Sequence, residues 1–178
     1  MGFDFAAAFV EGAELAGYGR RDPPVVMSVR TAGELELPSG AVVARDPDGP
    51  DTPGPFPVRF RPGRYPVLVA LAADADGDER VALALLRTDE AAPAACTRWE
   101  PLRAEGEPEE GPWGPIEAGY PVDSGVGCFM SAEGDSVVRF EAGDGDGTYV
   151  TYAGRLEDGS AGALVTDFLV AAVPESDR

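Results

Sequence analysis

"YPVLVALAADADGDERVALALL", residues 65–86, holds two apolar runs, Tyr65–Ala72 and Arg80–Leu86, separated by an acidic tip. Each run is strand-length and rich in valine and leucine. The tip "DADGDE" sets Gly77 beside aspartates, the residue chemistry of a hairpin turn. The segment therefore reads as two neighbouring strands paired antiparallel. Its longest unbroken apolar stretch, Val67–Ala73, falls well short of the ~20 residues a membrane-spanning helix needs.

The same punctuation recurs along the chain. The 23 glycines and 17 prolines fall between short β-branched or alternating runs instead of clustering in one linker. That spacing predicts further strands at 25–29, 34–37, 41–45, 56–60, 127–130, 136–140, 148–156 and 163–170. "PSG" (38–40) and "EDGS" (157–160) read as further hairpin turns. Only Asp4–Leu15 reads as helix. The expected fold is a single mainly-β domain over 1–178, an antiparallel sandwich or partly closed barrel of about eight to ten strands with one N-terminal helix. Residues 1–33 carry the helix and a lead-in strand, 34–171 the β core and 172–178 a tail. Residues 103–119 are acidic, rich in Gly and Pro and without pattern, as in a long mobile loop. Trp113 inside that loop either anchors it to the core or presents a contact surface.

Charge and missing residue types narrow the chemistry. Fourteen cations against 32 acids give a formal net charge of −18, a field that repels nucleic-acid phosphates and anionic membrane surfaces. The chain has no Lys, His, Asn or Gln, so every cation is an Arg. Without His there is no Ser-His-Asp or Cys-His pair and no imidazole zinc ligand. Without Lys there is no phosphate-loop lysine or Schiff base. Coding bias, with or without a salt-adapted acidic surface, is the reading preferred for these absences over selection for chemistry. Cys96 and Cys128 are too few for a disulfide framework or a thiolate zinc site, and both read as reduced. The expectation is therefore no cofactor, no transition metal, no nucleic acid and no membrane. Lacking a basic region before Phe5–Val10, the N-terminus does not read as a signal peptide, and a cytoplasmic location is expected.

Two acidic strings invite a calcium reading. An EF-hand loop counted from Asp74 puts Glu79 where Gly is needed and Leu85 where the bidentate Glu is needed; counted from Asp144, it ends on Arg155. Both strings fit solvated hairpin tips better. In "VDSGVGC" (122–128), Val122 and Val126 occupy the glycine places of a G-x-S-x-G elbow, and no His can take a proton from Ser124. Cys128 alternates with Val126 and Met130, which faces it to the core.

"LPSGAVVARDP" (37–47), "PGRYPV" (62–67), "AGYPVDSGVGCFM" (118–130), "GDGTYVTYAG" (145–154) and "LVTDFLV" (164–170) occur together in this order. The set resembles a bacterial family known as domain of unknown function 4241, over Glu34 to Val170. The resemblance implies these turns as landmarks and carries over no chemistry. Among the landmarks, Arg64, Asp123, Asp146, Tyr149, Tyr152 and Asp167 sit beside apolar strand residues, where a charge or phenol needs a partner or a cleft. A buried Arg–Asp network, a ligand pocket and a catalytic carboxylate pair are the three ways to satisfy them.

The candidate binding residues are Arg64, Trp113, Asp123, Ser124, Asp146, Tyr149 and Tyr152, with Asp123, Ser124, Asp146, Tyr149 and Tyr152 expected to lie near one another. Two functions fit. One is a small acidic cytoplasmic binding protein, of the immunity or antitoxin kind, steered onto a basic protein partner. The other is a carboxylate-dependent hydrolase or isomerase of a small-molecule ligand, using Asp123 and Asp146.

Overall fold

The computed structural model describes residues 2–19, 23–112, 114–115 and 117–176. Its strands, in chain order, are β1 (Gly2–Phe3), β2 (Glu14–Leu15), β3 (Val25–Leu37), β4 (Val42–Arg45), β5 (Gly63–Ala73), β6 (Glu79–Arg87), β7 (Arg98–Pro101), β8 (Glu110–Gly111), β9 (Gly114–Pro115), β10 (Tyr120–Val122), β11 (Val126–Ser131), β12 (Val137–Glu141), β13 (Gly147–Arg155), β14 (Ala161–Asp167) and β15 (Glu175–Ser176). The chain is mainly β, and every strand pairing is antiparallel.

The expected 65–86 hairpin is present as β5 and β6, and it forms the centre of an eight-stranded sheet ordered β10-β13-β14-β6-β5-β3-β2, with β7 also on β13. At its tip, Asp74 Oδ1 accepts the backbone N–H groups of Asp76 and Asp78, which fixes the turn. This sheet curls into a half-barrel. A three-stranded sheet, β12-β11-β4, faces it, with β12 against β3 and β4 against β10.

Alternation explains how the central strands serve two cores. On β5, Tyr65, Val67, Val69 and Leu71 face the barrel interior, where Phe129, Phe140, Leu164 and Phe168 meet them. Ala70 and Ala72 face the outer side, with Met27, Leu83, Leu85 and Val165. β6 keeps both sets supplied although Ala82 and Leu83 both belong to the outer core, because the register shifts opposite Ala70/Leu71 and the alternation restarts. Each fully buried Leu, Val or Phe contributes about 1.5–3 kcal/mol, so a sheet with two apolar faces needs a cover on each.

The N-terminal segment is the outer cover, and here the expected helix is corrected. Asp4–Leu15 is not helical throughout: a 3-10 helix spans Phe5–Phe9, and Glu14–Leu15 is already strand β2 on β3. Gly12 at φ +77 ends any helix, and its N–H goes to the Met27 carbonyl of β3. Phe5 and Ala8 are fully buried, and Phe5 packs on Trp99 and Tyr152. The other helical element described is the short turn Ala92–Ala95.

Other differences have local causes. The strands expected at 25–29 and 34–37 are one strand, β3, bent by a register shift between Thr31 and Gly33. "PSG" is a corner between sheets, not a hairpin, since β4 pairs with β11. "FPVRF" (56–60) forms no named strand: beside the start of β4 it makes the isolated Ala41–Arg59 bridge and two N–H bonds, Phe56 to the Val42 carbonyl and Phe60 to the Gly40 carbonyl. Within 103–119, β8 and β9 pair with each other, while Trp113 lies outside the described residues. No helix among the described residues is long and apolar enough to cross a membrane.

Candidate functional site

β4 ends at Arg45, and the chain then turns sharply through "DPDG". The turn is held by its own polar groups: Asp46 Oδ1 accepts Asp48 N–H at 2.9 Å, and Arg45 donates from Nε to the Asp46 carbonyl and from Nη2 to the Gly49 carbonyl. Asp46 is 5% exposed. A carboxylate this deep is tolerable only if its oxygens are occupied.

The occupants come from the turn between β10 and β11. Asp46 Oδ2 accepts the N–H groups of Asp123 at 2.9 Å and Ser124 at 2.8 Å, and Oδ1 accepts Ser124 Oγ–H at 2.7 Å. Burial disfavours the Asp46 anion. The Ser124 hydroxyl and the three backbone N–H groups outweigh it and hold the acid well below the usual carboxylate range. Asp46 thus ties the end of β4 to the β10–β11 turn at the place where the two sheets meet without a ladder.

Beside this tie lies a cleft of about 260 Å³. Asp46, Asp51, Glu107 and Asp123 contribute carboxylates to it, and Tyr120 and Pro121 an apolar side. Arg45, the cation on its wall, has its guanidinium turned onto the Asp46 and Gly49 carbonyls. The cleft therefore offers negative charge over a partly apolar surface. Tyr120 is 4% exposed. Its buried hydroxyl has no hydrogen-bond partner among the described residues, and burial pushes its ionisation upward.

The candidate residues distribute unevenly around this cleft. Asp123 lines the cleft and Ser124 follows it on the same turn, both exposed, with their backbone N–H groups on Asp46. Asp146 is on the neighbouring turn, exposed; Ala142 N–H bonds the Gly125 carbonyl and joins the two turns. Tyr149 packs inward on Phe168, and its hydroxyl donates to the Gly145 carbonyl at 2.8 Å, which braces the Asp146 turn. Burial, then Asp144 and Asp146, raises its ionisation. Tyr152 is on the opposite face of β13, against Phe3 and Phe5. Arg64 is on the solvent side of β5, beside Glu34 and Glu36. The Arg–Asp network is absent at these residues. The buried acid of this region, Asp46, is satisfied by N–H and hydroxyl donors with no guanidinium on its oxygens.

Asp46 was not among the candidates, although a signal exists. An acid immediately after the β4 apolar run, followed by Pro47, Asp48 and Gly49, is a turn that binds its own backbone. Its decisive partners are 77 and 78 residues away, which no local pattern reveals. Both cysteines are free and buried, and burial pushes each thiol up to about 11, as inert packing groups.

No curated protein and no solved structure matches the chain. The "GDGTYVTYAG" and "LVTDFLV" stretches lie beyond the family match, whereas Asp46, Tyr120, Asp123 and Ser124 lie inside it. With the model described as Protein of unknown function (DUF4241) matching residues 35–136, from β3 through the Asp46 turn to the β11–β12 turn, the chain belongs to that family.

Proposed function

We propose that the chain is an acidic binding protein whose cleft beside Asp46 receives a cationic group of a basic protein partner, in the manner of an immunity or antitoxin-like inhibitor. The observation that carries this reading is the uncompensated charge of the cleft. Four carboxylates line it, while Arg45 is spent on backbone carbonyls. A guanidinium or ammonium on a partner would find carboxylate oxygens at Asp51, Glu107 and Asp123, and the Tyr120–Pro121 side would cover its aliphatic stem. The net charge of −18 would steer such a partner in from a distance.

The test is association with an arginine-rich peptide, measured against ionic strength on the wild-type chain, Asp123→Asn, and Asp76→Asn as a control on a distant hairpin tip. Association that slows steeply with salt, weakened by about tenfold in Asp123→Asn and unchanged in Asp76→Asn, supports the reading. Equal effects of the two variants reduce the interaction to general surface charge. Turnover of a small molecule by the isolated chain, lost in Asp123→Asn or Asp146→Asn, would favour the hydrolase or isomerase instead.

A further inference from the structure

We propose a second binding site, for a zwitterionic small molecule of the α-amino acid class, in the groove between the 59–65 segment and the β13–β14 turn. The groove has a volume of about 450 Å³ and includes Phe60, Arg61, Tyr65, Asp89, Leu156 and Asp158 in its walls.

Arg61 sets it apart. Every other described arginine donates to a carboxylate or a backbone carbonyl. In a chain with 32 acids, the Arg61 guanidinium makes no hydrogen bond or ion pair among the described residues. Asp158 is near enough to feel its charge and beyond ion-pairing distance.

The backbone carrying this free guanidinium is fixed. Phe60 N–H bonds the Gly40 carbonyl at 2.9 Å, and the Tyr65 hydroxyl donates to the Arg61 carbonyl. Gly40, at φ +77, approaches so closely that a Cβ there would stand 1.9 Å from the Phe60 carbonyl oxygen. Phe60 and Tyr65 are themselves buried, with rings 5.7 Å apart. Little chain ordering is left for a ligand to impose.

The opposite wall supplies acceptors. Asp89 Oδ1 takes the N–H groups of Ala91 and Ala92, and Asp158 Oδ1 takes the N–H and hydroxyl of Ser160. The second oxygen of each carboxylate has no bond among the described residues. A simple anion would meet Arg61 but be repelled by two carboxylates, and a simple cation would meet the reverse. A molecule carrying both a carboxylate and an ammonium satisfies both walls, and Phe60, Tyr65 and Leu156 offer cover for an apolar side chain.

The experiment is calorimetric titration of the full chain with L-phenylalanine, L-tyrosine and L-leucine, and with N-acetyl-L-phenylalanine and L-phenylalaninamide. It is run on wild type, Arg61→Gln, Asp158→Asn and Asp123→Asn, each checked for an unchanged far-UV spectrum and melting temperature. The expected result is binding of at least one free amino acid, weakened about tenfold in Arg61→Gln and in Asp158→Asn and unchanged in Asp123→Asn, with both blocked analogues weaker by a similar factor. No binding by any of the three amino acids, equal binding by Arg61→Gln, or equal binding of the blocked analogues would overturn it. Asp123→Asn separates this site from the acidic cleft, so either can fail alone.

Discussion

Asp46 and Asp167 are both aspartates at strand ends beside the core, and the fold moves them in opposite directions. Asp46, after β4, receives three backbone N–H groups and one hydroxyl and is held ionised, well below its ordinary range. Asp167, at the end of β14, receives the N–H of Leu169 at 2.9 Å, and burial pushes it up to about 6 from 3.8. Its neighbour Leu169 adopts φ 58, a left-handed conformation unusual for leucine. Burial alone does not decide a carboxylate's state; the number of donors aimed at it does. The well-supplied acid organises the cleft, and the poorly supplied one is a standing weakness of the sheet.

Removing the better-supplied acid should have the largest effect. Asp46→Ala leaves the Asp123, Ser124 and Asp48 N–H groups without their acceptor, and a loss of about 3 kcal/mol is expected, roughly 10 °C in melting temperature. A loss indistinguishable from zero would mean that water replaces the carboxylate freely and that the tie between the sheets is dispensable.

The opposite sign is expected at Asp167. Its raised folded value means that the native state holds a proton more tightly than the unfolded chain. Its contribution is therefore fully present below pH about 4 and is lost as pH rises through about 6. Asp167→Asn, which cannot ionise, should stabilise the protein at pH 7 by about 2 kcal/mol and give no gain at pH 4. Asp46, with its folded value lowered, stabilises above the unfolded value and loses that contribution only in strong acid. Thermal melts of the wild type and both variants from neutral pH down into strong acid check both signs.

The smallest effect isolates one donor. Ser124→Ala deletes the hydroxyl on Asp46 Oδ1 but keeps both backbone N–H groups on Oδ2. A loss of about 1 kcal/mol is expected, measured by urea unfolding. A loss as large as that of Asp46→Ala would show that the hydroxyl, not the backbone, dominates the tie.

What could be read from the sequence follows the range of the forces involved. The β5–β6 and β13–β14 hairpins were legible because alternation and turn chemistry are local. The helix expected over Asp4–Leu15 is not formed beyond the 3-10 turn Phe5–Phe9, since Val10 is extended, Gly12 takes φ +77 and Glu14–Leu15 is drawn onto β3 as a strand. β3 was read as two strands because Ala32 and Gly33 interrupt its apolar pattern at the register shift. In the site, Asp123 and Ser124 were legible as a polar turn beside a strand. Asp46 was not, because its role is defined by donors from the β10–β11 turn, 77 and 78 residues away.

In the proposed function, the cleft beside Asp46 is the surface that would meet a basic partner. The most direct measurement is chemical-shift mapping of backbone amides while an arginine-rich peptide is added. The prediction is that shifts concentrate at Asp51, Glu107, Tyr120, Asp123 and Ser124 and saturate together. Shifts spread over the acidic tips at Asp74–Asp78 and Asp144–Asp146, with the cleft amides no more affected than the rest, would contradict it.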